Sequence, residues 1–126
     1  MALGALGAVL DRRGAAQRAA WRRGVGVVAG AYAANQAVKF TVRRPRPQLP
    51  DLPQLTSTRS QMSFPSAHTT TSFAAARAYR GLLPARVLYG IAGTLALSRM
   101  YLGVHYPTDV LAGAGLGTAI AGVWPR

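Results

Sequence analysis

The chain has no cysteine and no glutamate, and its acidic side chains are limited to Asp11, Asp51 and Asp109. Without cysteine it can form neither a disulfide framework nor a Cys-based zinc site. Three carboxylates and two histidines leave few ligands for any other metal, and the paired-carboxylate chemistry of glycosidases has little to draw on. We therefore expect chemistry without a metal or other cofactor, in which basic side chains do the electrostatic work.

Positive charge is in large excess over negative charge. The 126 residues include 15 Lys and Arg against 3 acidic residues, for a net charge of +12 with both histidines neutral. Half of the residues are hydrophobic, which is too apolar for a disordered basic tail, and the length suits one domain. This balance indicates an anionic partner, which composition alone leaves open among nucleic acid, a lipid surface and a phosphorylated substrate.

Four apolar segments rich in Ala, Gly, Leu and Val predict helices over residues 25–42, 68–83, 85–102 and 108–124. Their lengths lie at the short edge of the range for a bilayer span. Gly113, Gly117 and Ala121 recur at a four-residue spacing that is typical of closely packed transmembrane helices. The pattern predicts an all-α integral-membrane bundle of about four spanning helices, with a soluble helical bundle as the alternative.

Two segments lie outside these helices. Residues 1–24 are basic and predict a lead-in at the cytoplasmic membrane interface, ahead of a catalytic domain over residues 25–126. Residues 43–67 contain most of the prolines, so they cannot form one continuous helix. We expect an exposed loop over one end of the bundle.

Polar residues gather where this topology brings helix ends together. If the four helices alternate in direction, the ends of the first and third share one side with the starts of the second and fourth. The polar outliers on that side are Lys39, Arg46, Ser66, His68, Ser98, Arg99, His105 and Asp109. Three cations, two imidazoles, one carboxylate and a helix start around one point suit a phosphoryl group.

The cations and the His–Asp pair each have a chemical use and a plainer alternative. Lys39, Arg46 and Arg99 can stabilise the charge on phosphoryl oxygens, although Lys39 and Arg46 alone would suit interfacial positions at the end of a span. His105 and Asp109 are four residues apart, so they can meet over a helical turn. The carboxylate can then fix the tautomer and leave the other ring nitrogen as a nucleophile; a purely structural pair is the alternative.

The segment from Pro65 to His68 predicts a proline turn that enters a helix. Backbone N–H groups at such a start bind phosphate, and the Ser66 hydroxyl can add a donor. His68 is placed to protonate a leaving oxygen. The alternative is that Ser66 and the following threonines only cap the helix.

Three short motifs occur in order: Lys39, six residues, then Arg46-Pro47; Pro65-Ser66-Ala67-His68; and Ser98-Arg99, five residues, His105, three residues, Asp109. With these motifs the sequence resembles the type 2 phosphatidic acid phosphatase (PAP2) superfamily, which also contains the vanadium haloperoxidases. The resemblance covers about residues 25–124.

The resemblance implies a role for each motif residue. The phosphate would be held by Lys39, Arg46 and Arg99 with help from Ser66 and the Ala67 backbone N–H, while His68 is the general acid, His105 the nucleophile and Asp109 its orienting partner. Two departures accompany this match. Ala67 replaces the usual glycine, so the turn must be one that an L-residue can adopt. The chain also has four predicted spans where membrane members typically have six, so it is either a minimal member or lacks its first spans, and self-association is expected.

The implied function is a metal-independent phosphatase that hydrolyses a lipid phosphate through a phosphohistidine. The motif segments look like those of actinobacterial enzymes of cell-wall polyprenyl-phosphate metabolism, which makes decaprenylphosphoryl-5-phosphoribose the most specific substrate expectation. Undecaprenyl diphosphate, phosphatidylglycerol phosphate and phosphatidate stay open. The rival functions are vanadate-dependent halide oxidation and a non-enzymatic basic protein that binds membranes or nucleic acid. Nucleic acid is not an expected partner, because the cations cluster at helix ends and not on one basic face.

The distribution of cations predicts an orientation in the membrane. Nine of the 15 Lys and Arg residues fall at the end opposite the motifs, and three of the others have catalytic reasons for their position. By the positive-inside rule the N-terminus is cytoplasmic. The site of this multi-pass protein would then face the outer side of the plasma membrane.

Overall fold

The structure is a computed structural model that describes residues 14–48, 50, 56–58 and 60–125. Within these ranges it contains four α-helices and no strand: α1 (Ala15–Val42), α2 (Ala67–Tyr79), α3 (Ala85–Tyr101) and α4 (Pro107–Val123). One isolated antiparallel bridge pairs Pro45 with Met62 in the connection between α1 and α2. The prediction of an all-helical fold with four helices is confirmed.

Helix α1 begins at Ala15 and not at the predicted residue 25. Alanine and arginine both favour helix, so the cations near the N-terminus do not interrupt it. The added turns are also packed, because Trp21 is buried and its ring centroid lies 5.0 Å from that of Tyr79. The predicted start of this helix is therefore wrong by ten residues. The division into a lead-in over residues 1–24 and a catalytic domain over 25–126 stays a prediction, and residues 1–13 lie outside the described part of the chain.

Helix α2 ends at Tyr79, four residues before the predicted end. The N–H groups of Leu82 and Leu83 both donate to the Tyr79 carbonyl, at 2.8 and 3.0 Å, and form a turn. Pro84 follows as the N-cap of α3, and a proline disfavours helical geometry in the residue before it. The remaining predicted helix bounds agree with the structure to within one residue.

Helices α2 and α4 pack closely because α4 presents small residues to α2. A Cβ atom on Gly113 would come within 2.7 Å of the Ser66 carbonyl oxygen, and one on Gly117 would collide with the Thr70 carbonyl. Ala121 continues the same buried face of α4. The four-residue spacing noted in the sequence therefore lets the two backbones approach, and it fixes the start of α2 against the start of α4.

The lengths of the helices bear on the predicted membrane spans. Helices α2, α3 and α4 contain 13, 17 and 17 residues. Within the described ranges, no helix combines the length and the apolar composition that a bilayer crossing requires. The four-span topology stays a prediction.

Candidate active site

A cavity of about 810 Å³ opens at one end of the bundle. The end of α1, the start of α2, the end of α3 and the connection that precedes α4 all contribute to its wall. Six of the eight predicted site residues line it: Lys39, Arg46, Ala67, His68, Arg99 and His105. The other two, Ser66 and Asp109, lie behind the wall with no exposed surface.

The connection between α1 and α2 holds Arg46 rigidly. This connection has a first arm, residues 44–46, and a second arm, residues 61–63. The Arg46 N–H donates to the Gln61 carbonyl at 3.2 Å, and the Ser63 N–H donates to the Arg44 carbonyl at 2.7 Å. The Arg46 side chain donates from Nε to the Ser60 carbonyl and from Nη1 to the Val104 carbonyl, both at 2.8 Å. The guanidinium is thus fixed in place before any ligand arrives.

Lys39 lies one helical turn from the end of α1 and is only 3% exposed. Its ammonium donates to the carbonyls of Met62 and Pro65, at 3.2 and 3.1 Å. Because an ammonium has three N–H donors, one remains for a ligand in the cavity. Lys39 therefore ties the second arm of the connection to α1 and adds a positive charge to the site.

Asn35 supports this arrangement, although the sequence patterns did not point to it. It is fully buried, and its Nδ2 donates to the Pro65 carbonyl at 3.2 Å and to the Thr70 hydroxyl at 2.9 Å. Its Oδ1 has no hydrogen-bond partner among the described residues. The available signal was an amide four residues before Lys39, on the same face of an otherwise apolar helix.

The start of α2 leaves its backbone donors uncapped by the preceding serine. Ser66 is the N-cap residue, yet its side chain makes no capping hydrogen bond, and its hydroxyl lies 3.1 Å from that of Thr69. The first N–H groups of a helix have no partner within the helix, so they are available to an anion. Ala67 is the first residue of the helix and does not have a positive φ; among the described residues other than glycine, only Arg43 does. The backbone at position 67 is therefore one that alanine can adopt. A role for the buried Ser66 hydroxyl in phosphate binding stays a prediction.

Arg46 determines the tautomer of His105, and Asp109 lies near the other ring nitrogen. Asp109 Oδ2 accepts the Tyr106 backbone N–H at 2.8 Å and lies 3.6 Å from His105 Nδ1. On the other side of the ring, His105 Nε2 lies 3.3 Å from Arg46 Nη1. A guanidinium only donates, so Nε2 is the acceptor and the ring proton is on Nδ1, which faces the carboxylate. Nε2 therefore carries the lone pair.

The surroundings also keep His105 uncharged. Burial and the positive charge of Arg46 lower the pKa of His105 to about 4, although the Asp109 carboxylate opposes the shift. Burial also lowers the pKa of Arg46. The charge of Asp109 acts to raise that pKa, and the charge of Arg99 acts to lower it. At neutral pH the imidazole is neutral, which is the form a nucleophile requires.

Arg44 is a second supporting residue that the motifs did not identify. Its Nη1 donates to Asp109 Oδ1 at 3.1 Å and to the Thr108 hydroxyl at 2.6 Å, and its guanidinium lies 4.1 Å from the centroid of the Tyr106 ring. Alternate residues of an extended segment point the same way, so Arg44 and Arg46 both reach toward the α3–α4 connection. That alternation in Arg44-Pro45-Arg46-Pro47 was the available signal.

The remaining groups complete a site for an anion. Arg99 is half-buried in the cavity wall, with Nε 3.5 Å from the Ser98 hydroxyl, and His68 is exposed at the cavity. Among the described residues, no three His, Cys, Asp or Glu side chains group as metal ligands would. Three cations, uncapped helix N–H groups and a neutral imidazole together can bind a tetrahedral oxyanion and present a nucleophile to it.

The sequence matches a family of known proteins. The PAP2 superfamily matches residues 21–126. Decaprenylphosphoryl-5-phosphoribose phosphatase of Mycolicibacterium smegmatis is 44% identical over 118 residues, which cover 90% of this chain and 61% of that protein. The enzyme of the same name from Mycobacterium tuberculosis is 40% identical over 75% of this chain and 55% of its own length. Phosphatidylglycerophosphatase B of Bacillus subtilis is 37% identical over 66% of this chain and 45% of its own length.

A solved structure agrees with these matches. The crystal structure of a transmembrane PAP2-type phosphatidylglycerolphosphate phosphatase from Bacillus subtilis superposes with a TM-score of 0.72 at 27% identity, covering 97% of this chain and 63% of that one. The chain thus spans less than two thirds of the length of these relatives. The three motifs, the cavity they line and the match over residues 21–126 lead to one conclusion: the chain belongs to the PAP2 superfamily.

Proposed function

We propose that this protein is a lipid phosphate phosphatase that works without a metal, through a phosphohistidine on His105. The observation that carries the proposal is the common cavity, in which Lys39, Arg46, Arg99 and His68 share one wall with the neutral His105 ring. Fixed cations stabilise the charge that a phosphoryl group spreads over its equatorial oxygens in the transition state.

The first step transfers the phosphoryl group to the enzyme. Nε2 of His105 donates its lone pair to phosphorus, and the bond from phosphorus to the lipid oxygen breaks. His68 gives its proton to the departing oxygen, which leaves as an alcohol, or as a lipid monophosphate when the substrate is a diphosphate. The Nδ1 proton of His105 stays in place against Asp109, whose charge stabilises the ring as it becomes positive.

The second step returns the enzyme to its starting state. His68, now neutral, takes a proton from water as the water oxygen attacks phosphorus. The bond between phosphorus and Nε2 then breaks, inorganic phosphate is released, and the electron pair returns to His105. The cations and the α2 N–H groups hold the same phosphoryl oxygens in both steps, so one site serves both.

For the substrate we propose a polyprenyl-linked phosphate, with decaprenylphosphoryl-5-phosphoribose as the specific candidate. The support is the 44% and 40% identity to two enzymes named for that substrate. A phosphatidylglycerol phosphate is the second candidate, since a relative at 37% identity and the superposed crystal structure carry that name. Undecaprenyl diphosphate is a further alternative.

We propose that the protein is a multi-pass membrane protein with its N-terminus in the cytoplasm and the cavity facing outward. The outer side of α3 supports contact with lipid, because Val87, Ile91 and Leu97 are each more than half exposed. The superposed Bacillus subtilis relative is described as a transmembrane phosphatase, which supports the same setting. Cations at the end of the bundle away from the cavity, such as Arg18, Arg22 and Arg80, agree with this orientation. Self-association stays a prediction.

The test is release of inorganic phosphate by purified, detergent-solubilised protein in the presence of EDTA. The panel contains polyprenyl monophosphates, a polyprenyl diphosphate, decaprenylphosphoryl-5-phosphoribose, phosphatidylglycerol phosphate and phosphatidate. His105→Gln removes the nucleophile and Arg86→Gln removes an exposed charge at the start of α3, away from the cavity.

We expect release by the wild type and by Arg86→Gln, and none above background by His105→Gln. The highest kcat/KM in the panel identifies the preferred lipid. A folded wild type that releases phosphate from none of these lipids, or only after a metal is added back, contradicts the proposal.

A further inference from the structure

Beyond the family motifs, one charged side chain contacts the catalytic pair from outside the cavity. Arg44 does not line the cavity, yet its Nη1 lies 3.1 Å from Oδ1 of Asp109. The three family motifs do not include it. We propose that Arg44 is a positioning residue that acts through Asp109 to hold His105 as a neutral, correctly oriented nucleophile. Only the measurement of turnover in its test rests on the proposed phosphatase function.

The two oxygens of Asp109 have separate partners. Oδ2 accepts the Tyr106 N–H and faces His105 Nδ1, whereas Oδ1 accepts the Arg44 guanidinium. Asp109 is completely buried, and donors to both of its oxygens offset the cost of removing the carboxylate from water. With Oδ1 held by Arg44, the carboxylate cannot rotate without breaking a charge-assisted hydrogen bond. Arg44 therefore holds the carboxylate in the orientation that places Oδ2 3.6 Å from His105 Nδ1.

Arg44 is itself fixed by several contacts. Its Nη1 also donates to the Thr108 hydroxyl at 2.6 Å, and its guanidinium stacks 4.1 Å from the centroid of the Tyr106 ring. Its backbone carbonyl accepts the Ser63 N–H at 2.7 Å, which ties it to the second arm of the connection. A side chain that is only 37% exposed and held on three sides is a rigid support and not a mobile surface charge.

The charge of Arg44 has a second consequence. The charged groups that act on His105 are Arg46, Asp109 and Lys39, and among these the carboxylate favours the protonated ring. A cation 3.1 Å from Asp109 offsets part of that effect. Arg44 thus lets Asp109 orient the imidazole while limiting how far it raises the basicity of the ring.

Arg43 provides a matched control. It precedes Arg44 directly and is exposed, and its Nε donates to the Phe40 carbonyl of its own helix. Arg43→Gln and Arg44→Gln remove the same charge from adjacent positions, but only the second removes a contact with Asp109. Arg44→Lys restores the charge without the planar fork.

The test measures the titration of His105 directly and turnover separately. The chain has two histidines, so a His68→Gln background leaves one imidazole, whose pKa NMR reports without any substrate. We expect Arg44→Gln to raise the pKa of His105 by about one pH unit, with Arg44→Lys close to the wild type and Arg43→Gln unchanged. In the background with His68 intact, kcat should fall about tenfold with little change in KM.

A double-mutant cycle separates positioning from a general loss of stability. In an Asp109→Asn background, Arg44→Gln should lower kcat no further, because the group through which Arg44 positions His105 is gone. An unshifted pKa in Arg44→Gln, or an equal shift in Arg43→Gln, overturns the inference. Because the NMR readout needs no turnover, a protein that proves not to be a phosphatase still decides the role of Arg44.

Discussion

Nε2 of His105 lies against Arg46, and burial together with this contact keeps the ring neutral. Arg46 Nη1 at 3.3 Å from Nε2 places the ring proton on Nδ1, toward Asp109. In the proposed mechanism, the oxygens of a bound phosphoryl group compete for the Arg46 donors, which frees Nε2 to attack. Arg46, the proposed phosphate ligand, thus also holds the proposed nucleophile in its neutral form with the lone pair on Nε2.

At the residue scale we predict that His105 titrates near pH 4, well below the usual range for histidine. The fold lowers this pKa, so it favours the neutral ring. The resulting contribution to stability is complete above about pH 6.5 and is lost as the pH falls toward 4. NMR titration of the imidazole measures it. Asp109→Asn should lower the pKa further, because it removes the charge that raises it, whereas Gln36→Ala, an uncharged change in the cavity wall, should leave it unaltered.

A His105 that titrates near 6.5 in the folded protein would contradict this prediction. It would mean that burial and Arg46 do not outweigh the effect of Asp109 on the ring.

At the element scale, the approach of α4 to α2 sets the site. Gly113 lies against the Ser66 carbonyl, and the Ser66 N–H donates to the Asp109 carbonyl at 3.0 Å. Because these contacts join the starts of the two helices, they fix the turn that enters α2 relative to Asp109 of α4. Small residues on α4 are therefore required for the geometry of the site as well as for packing.

Two glycines of α4 give opposite predictions for the same substitution. Gly117→Ala places a Cβ against the Thr70 carbonyl, so we expect unfolding free energy to fall by about 1–3 kcal/mol, with a loss of kcat. Gly115 is exposed with open space around it, and Gly115→Ala should raise stability by up to about 1 kcal/mol through helix propensity. Thermal unfolding in detergent compares them, and equal effects of both changes would argue against close packing of α2 and α4.

At the scale of the whole molecule, the sequence predicts the number of helices and the end of the bundle where polar residues gather. Helix bounds that depend on tertiary contacts were predicted less well. The first ten residues of α1 look like a charged lead-in, because their packing depends on Tyr79, which lies more than 50 residues away. For the predicted membrane spans, no helix in the described ranges has both the length and the apolar composition of a bilayer crossing.

The site shows the same division between local and distant information. Motif spacing identifies Lys39, Arg46 and His105, since each belongs to a fixed pattern in the chain. Asn35 and Arg44 act through partners about 35 and 65 residues away, and no local pattern names those partners. Supporting residues therefore appear only once the fold brings the segments together.

The central claim is that His105 carries the phosphoryl group, and trapping that intermediate tests it most directly. Protein mixed with substrate labelled with ³²P in the transferred phosphoryl group is denatured in alkali within one turnover, and the labelled residue is identified by mass spectrometry. We expect a phosphoryl group on His105 that is stable in alkali and lost in acid, and no label on His105→Gln. Label on another residue, or turnover by His105→Gln at the wild-type rate, would contradict the claim.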